Sequence, residues 1–318
     1  MASPAVETPA KTVAPAADLG FISPVVARLA LAHDVDLKQV VGTGLKGRIR
    51  KKDVLAYIER SDAETASLRD DIQTAAEEGR PASGDQIIPL SRMRRLIAEH
   101  MVQSKRTSPH VTTVFVCDLT AVVRHRDAQK DAFAQNGANL TFTPYFVAAI
   151  VSALKQHPLA NSAWSDDGIV LKRAIHVGMA TAIADGLVVP VIKNADSLNL
   201  LGLTRALNDL AQRARAGQLA ADELTGGTFT LTNHGAGGSL FATPIINQPQ
   251  TGILGVGKIH KTPVVISRGH PLLPDAGEVI AIRPIAYLSF TFDHRVLDGA
   301  AADAFVAAVK GVLEEWEG

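Results

Sequence analysis

The residues best suited to chemistry lie near the C-terminus, in SFTFDHRVLDGAAADAF. There a β-rich run, AYLSFTF, ends in Asp293-His294-Arg295 and is followed by Asp298-Gly299 and an alanine-rich helix. A histidine at a strand-to-helix corner makes a good general base, because imidazole titrates near working pH. The same residue can equally be a satisfied histidine at a strand end, and Asp298 an N-cap that accepts an orphan backbone N–H. Thr232 lies in GGTFTLTNHGAGG, a strand running into a glycine loop. Its hydroxyl either satisfies backbone in a turn or, if the fold brings it near His294, donates to an oxyanion as acyl transfer requires. Spacing alone leaves both pairs of readings open.

A second group lies near the N-terminus. GTGLKG, residues 42–47, matches the G-x-G-x-x-G dinucleotide pattern, but that pattern carries its meaning only inside a βαβ unit. Linkers bound the surrounding island and leave no room for a sheet, so the glycines read as a loop joining two short helices. Lys46, Arg48, Arg50, Lys51 and Lys52 make this island basic, with eight Lys/Arg against four Asp/Glu between residues 22 and 60. A solvated face, a nucleic-acid contact and a docking surface for an acidic protein all fit that charge.

Whole-chain properties narrow the classes. The chain has 318 residues, 47% hydrophobic and 20% charged, which is ordinary for a globular protein. Lys+Arg and Asp+Glu both number 32, so no chain-wide field favours nucleic acid or an anionic membrane. The single cysteine, Cys117, excludes an internal disulfide framework and a cysteine-cage metal site. The most apolar stretch, Tyr145 to Leu154, is about half of the ~20 residues a membrane helix needs, and no secretory signal opens the chain. The expected location is the cytoplasm.

The elements that must position these residues follow from periodicity and caps. Residues 1–20 form an Ala/Pro-rich linker, of the kind that tethers a preceding module. Residues 21–60 form a small helical island opened by Pro24, and 61–85, charged and small, form a second linker. From 86 to 318 the pattern is that of one α/β domain. Ser91 caps a helix that ends before Pro109, and HVTTVFVCDL is a strand. Helices follow around 120–135, 144–156 and 199–215, with strands around 174–184, 187–192, 228–232 and 285–292. A last helix, ADAFVAAVKGVLEEW, closes the chain.

Two independent stretches carry a family resemblance. ISPVVARLALAHDVDLKQVVGTGLKGRIRKKDVLAYIE, residues 22–59, resembles the peripheral subunit-binding domain of the E2 components of 2-oxo acid dehydrogenase complexes. Residues 87–318 resemble the E2 acyltransferase core, with SRMRRLIAEHMVQSK, SPHVTTVF, DGLVVPVIKNAD, GGTFTLTN, LFATPIINQPQTGILGVG and DHRVLDG in order. The resemblance implies an α/β core like chloramphenicol acetyltransferase, a mixed sheet flanked by helices that forms trimers and a larger cage, behind a small all-α domain. It implies acyl transfer between dihydrolipoyl groups and coenzyme A, with no metal, at a subunit interface. His294 would be the general base on the thiol, Thr232 the oxyanion donor from across the interface, and Asp298 the second motif residue in a positional or salt-bridge role. Arg28, Lys46, Arg48 and Arg50 would dock E1, E3 or both, and a lipoyl domain would bring the acyl group. No nucleic acid or membrane is implied.

The chain also departs from the family pattern. No lipoyl domain or lipoyl-lysine hairpin is found in it, so the expectation is either a truncated chain or a variant served by a lipoyl domain in trans. Ala27 stands at the first of the paired basic positions, leaving Arg28, and Leu31 occupies another site that is often basic. Thr232 replaces a serine found in many members and keeps the hydroxyl. Two rival functions differ in kind. A non-catalytic E3-binding structural subunit would have lost the motif histidine, and a free-standing small-molecule acyltransferase would need no docking island. Acetyl and branched-chain substrates carry similar weight, and succinyl less.

Overall fold

Ser23 and Pro24 start the first helix as the sequence predicts. The Ser23 side chain accepts from the Val25 N–H at 3.3 Å, and Pro24 occupies the first turn of α1 (Pro24–Ala32), where a missing N–H costs nothing. The computed structural model describes residues 22–33, 35–44, 48–60, 84–183, 186–267 and 277–317. The linker over 1–20 and Lys46 lie outside the described residues, as does all of the 61–85 linker but its last two residues. The chain divides into two units, Met1–Pro89 and Leu90–Gly318.

In the first unit a 3-10 turn, Leu37–Gln39, is capped by Asp36, and α2 covers 51–60. Val26, Val40, Ile49 and Val54 form its buried core. So small a core leaves polar contacts a large share of the stability. Asp53 makes most of them: its carboxylate accepts the Thr43 N–H at 2.9 Å, the Thr43 hydroxyl at 2.7 Å and the Arg50 N–H at 2.9 Å. Those bonds hold its pKa down to about 2, Thr43 and Arg50 backbone donors contributing most. Gly44 passes so close to the next segment that a Cβ there would lie 2.5 Å from the Arg48 carbonyl oxygen. The glycine motif is therefore loop geometry. No strand precedes it among the described residues.

The second unit is built on an eight-stranded mixed sheet. Its strands in chain order are β1 (His110–Asp118), β4 (Val177–Ile183), β5 (Gly186–Val188), β6 (Val191–Ile192), β7 (Phe229–Asn233), β8 (Gly252–Val256), β9 (His260–Ile266) and β10 (Val279–Asp293). The main path runs β1-β10-β8-β7-β4-β5, with β6 on β4 and β9 on β10, while β2 (Ser162–Ser165) and β3 (Gly168–Leu171) make a separate hairpin. The β4–β7 and β7–β8 pairings are parallel and the others antiparallel. The helices are α3 (Arg92–Thr107), capped by Ser91, then α4 (Thr120–Gln135), α5 (Thr143–Gln156), α6 (Leu200–Arg215) and α7 (Gly299–Glu314).

Strand alternation sorts the two faces of β10. Phe290 and Phe292 stack at 5.5 Å, and Phe290 meets Phe305 of α7 at 4.8 Å and Phe229 of β7 at 6.0 Å, inside the main core. Ser289, Thr291 and Asp293 take the opposite face. Two differences from the sequence reading have clear causes. The strand expected over 187–192 is broken at Pro190, which cannot donate to a ladder, into β5 and β6. The strand expected over 285–292 extends back to Val279 because β9 pairs with its first half.

Candidate active site

The corner between β10 and α7 is held from several sides. The Asp293 backbone N–H donates to Thr251 at 2.8 Å, and its carbonyl accepts from Val296 and Leu297 at 3.0 and 3.1 Å, closing a tight turn. Asp298 then caps α7, accepting the Ala301 N–H at 2.8 Å. The capping role expected for Asp298 is thus the one its geometry shows. His294, inside the turn, donates its backbone N–H to Pro109 at 3.0 Å. Its ring is exposed, 5.8 Å from that of Phe292, and no hydrogen bond reaches it among the described residues.

The residues on either side of His294 form a half-buried ion pair. Arg295 donates from Nε and Nη2 to the Asp293 carboxylate at 3.0 and 2.6 Å, and its backbone N–H adds a bond at 3.0 Å. The Ser108 hydroxyl donates to the same carboxylate at 2.9 Å and receives the Gln248 amide at 2.7 Å. Burial pushes the Asp293 pKa up, but the Arg295 and Ser108 hydrogen bonds outweigh it, and the group titrates below the usual carboxylate range. Arg295 also lies 4.9 Å over the Trp164 ring on β2. His110 adds a further tie: Nε2 accepts the Ile246 N–H at 3.1 Å, so Nδ1 carries the proton and donates to the Ser108 carbonyl at 2.7 Å. Burial lowers the pKa of His110, which suits a neutral ring with those partners.

Ser108, His110, Trp164 and Gln248 escaped the sequence reading because their partners lie far along the chain. Only the Asp293–Arg295 pair had a local signal, two residues apart at a strand end.

Thr232 is not brought to this corner. On β7 it pairs with Ala180 and Gly255, and Gly255 in turn pairs with Ser289, five residues before His294 on β10. Strand spacings of ~3.3 Å along the chain and ~4.8 Å between neighbours put Thr232 and His294 roughly 19 Å apart. The fold of one chain therefore sets the Thr232 hydroxyl and the His294 ring at separate places on the sheet.

In the first unit Arg28, Arg48 and Arg50 are exposed, as are Ala27 and Leu31 on α1. Arg48 and Arg50 flank Gly44, while Arg28 stands on a separate element. No cluster of three His, Cys, Asp or Glu suited to a metal occurs among the described residues, and no helix there is long and apolar enough to cross a membrane. Cys117 is buried, and burial pushes its thiol up to about 12.

Comparison with known proteins agrees across methods. The family model described as 2-oxoacid dehydrogenases acyltransferase (catalytic domain) matches residues 82–318, and the e3 binding domain model matches 20–55. The lipoamide acyltransferase component of the branched-chain alpha-keto acid dehydrogenase complex of Bacillus subtilis is 41% identical over 98% of this chain and 76% of its own length. A probable dihydrolipoamide acetyltransferase from Listeria monocytogenes superposes with a TM-score of 0.69 at 40% identity, covering 74% of this chain and 96% of that one. The cubic core of a pyruvate dehydrogenase multienzyme complex gives 0.68 at 33%, covering 74% and 96%.

Proposed function

The chain belongs to the 2-oxoacid dehydrogenase acyltransferase family, and from that premise we propose that it moves an acyl group between a dihydrolipoyl thiol and coenzyme A at a site shared by two copies of the chain. It is an E2 acyltransferase with an E3-binding domain. In the proposed step His294 of one copy takes the proton from the attacking thiol. The new C–S bond forms as the thioester carbonyl becomes an oxyanion, which the Thr232 hydroxyl of the other copy stabilises. His294 then returns its proton to the departing sulfur as the old C–S bond breaks. A thiol of pKa about 8.5 is mostly protonated at pH 7, so such a base raises the supply of thiolate.

The observation that carries this reading is the exposed His294 imidazole, free of hydrogen bonds among the described residues, on a corner held by an ion pair and a helix cap. The residues suit thiol–thioester chemistry, for which a neutral base and a hydroxyl donor suffice. The roughly 19 Å between Thr232 and His294 in one chain supports a shared site, and so do trimers built into a cage. Asp298 acts as a positional residue. Residues 21–60 dock E3, E1 or both through Arg28, Lys46, Arg48 and Arg50, and a lipoyl domain presents the acyl group. The matched relatives are named for branched-chain, acetyl and succinyl substrates alike, so branched-chain and acetyl groups carry similar weight here and succinyl less. We place the protein in the cytoplasm.

The test mixes the protein with free dihydrolipoamide and, separately, acetyl-, isobutyryl-, isovaleryl- and succinyl-CoA, and follows CoA release. Turnover with one of them is expected, and in His294→Ala it falls by ~10²–10⁴-fold with assembly intact. Undiminished turnover in that variant would overturn the assignment.

A further inference from the structure

His234 lies two residues beyond Thr232, and its imidazole packs on bare backbone. A Cβ added to Gly255 would lie 3.0 Å from His234 Cε1 and 3.3 Å from Nδ1, so the ring occupies the space that the missing side chain leaves open. Gly255 is the direct cross-strand neighbour of Thr232 on one side and of Ser289 on the other. Both nitrogens of His234 are buried without a hydrogen-bond partner, and so is the Ser289 hydroxyl. Three orphaned polar atoms around one glycine are unusual, since buried polar groups are nearly always paired. They also lie on the sheet face that carries Thr232, opposite the aromatic core.

We propose that His234 is a second hydrogen-bond donor at the Thr232 end of the reaction site, its ring turning from its seat on Gly255 as substrate binds so that its N–H reaches the same thioester carbonyl oxygen. Residue chemistry supports this assignment. A neutral imidazole carries one N–H and one lone pair, and with neither nitrogen held by the protein its N–H is available to a substrate oxygen once the ring turns. Burial keeps the ring neutral by lowering its pKa, which preserves that arrangement at working pH. Two donors converging on a developing oxyanion are more effective than one, and the bare Gly255 backbone is what gives the His234 ring its place beside Thr232. The proposal rests on the acyl-transfer reading of Thr232 given above.

The experiment compares His234→Phe, His234→Gln and Gly255→Ala with the unaltered protein in the acyl-CoA and dihydrolipoamide assay, with His294→Ala in parallel and assembly checked by sedimentation. Loss of turnover in His294→Ala establishes the reading on which the inference rests; retained turnover there refutes that reading separately. For His234→Phe, which removes the donor while keeping an aromatic ring, kcat falls ~10²–10³-fold with KM within about threefold, as for loss of an oxyanion donor. His234→Gln, which restores an N–H, recovers at least part of that loss. Gly255→Ala, which displaces the ring without removing it, lowers kcat in the wild-type background and adds little in His234→Phe. The proposal is overturned if His234→Phe stays within twofold of wild type, or if Gln fails to rescue it. Loss of assembly in both His234 variants also overturns it and assigns the imidazole to subunit contact.

Discussion

The two ends of the sheet that carry His294 and Thr232 are finished in opposite ways. Around His294 a half-buried Arg295–Asp293 pair, the Ser108 and Gln248 hydrogen bonds and the Asp298 cap hold the turn within one chain. Around Thr232 the ladder is regular, but His234 and Ser289 keep buried polar atoms without partners. The first end has its polar groups paired, and the second keeps some unpaired. On the proposed reading, the base is held by its own chain, whereas the oxyanion end is engaged by substrate.

The largest expected effect sharpens that contrast through mixing. His294→Ala and Thr232→Ala alone should each lose ~10²-fold or more in turnover. Co-assembled in equal amounts, they should recover activity at about one site in four, because a shared site then draws an intact His294 and an intact Thr232 from different copies. No recovery after verified co-assembly would mean that both residues act within one chain. Thr232→Ser, which keeps the hydroxyl, should remain active.

Next comes the corner itself. Asp293→Ala leaves the half-buried Arg295 guanidinium and the Ser108 hydroxyl without their carboxylate and should destabilise the second unit by ~2–3 kcal/mol, read from denaturant midpoints. A loss below about 1 kcal/mol would show that the turn does not depend on the pair. A smaller effect is expected at the cap: Asp298→Ala should cost ~1 kcal/mol, and Asp298→Asn, a comparable cap, close to nothing. If Asp298→Asn instead abolished turnover with stability unchanged, Asp298 would be a charge partner of His294.

The mildest test concerns the first unit in acid. Asp53 titrates at about 2 when folded, against about 3.9 when unfolded. Its depressed pKa adds stability above pH ~4 that is lost as pH falls through about 2. Helicity of residues 21–60 should therefore fade across that window, and Asp53→Asn should flatten the dependence. A profile unchanged by that substitution would assign the acid response to other groups.

Much of this was readable from local pattern. Ser91, Pro24 and Asp298 marked helix starts by residue type, and α4, α5, α6 and α7 followed their apolar periods within a residue or two. What escaped was set by distance. Ser108 and Asp293 are 185 residues apart, and Gln248 reaches Ser108 across 140, so no window of sequence contains the network. β8 was hidden because Gly252 and Gly255 look like turn residues, although flatness is what the sheet needs at Gly255. The β2–β3 hairpin left a usable signal in Asp167-Gly168 that its short strands made easy to overlook. His234 was legible as a residue but not as a buried one, since burial there depends on a glycine three strand residues into β8.

The stacking of Arg295 on Trp164 has an optical side. The chain holds two tryptophans, and Trp316 is tucked against Tyr145 at 4.8 Å between ring centres. Trp164 is the more open indole, 42% exposed, with a guanidinium on its face. A cation so placed shifts and quenches emission, and it is bonded to the carboxylate one residue before His294. The corner that holds His294 therefore carries its own fluorophore, and a movement of that turn that lifts Arg295 from Trp164 is written into the light it emits.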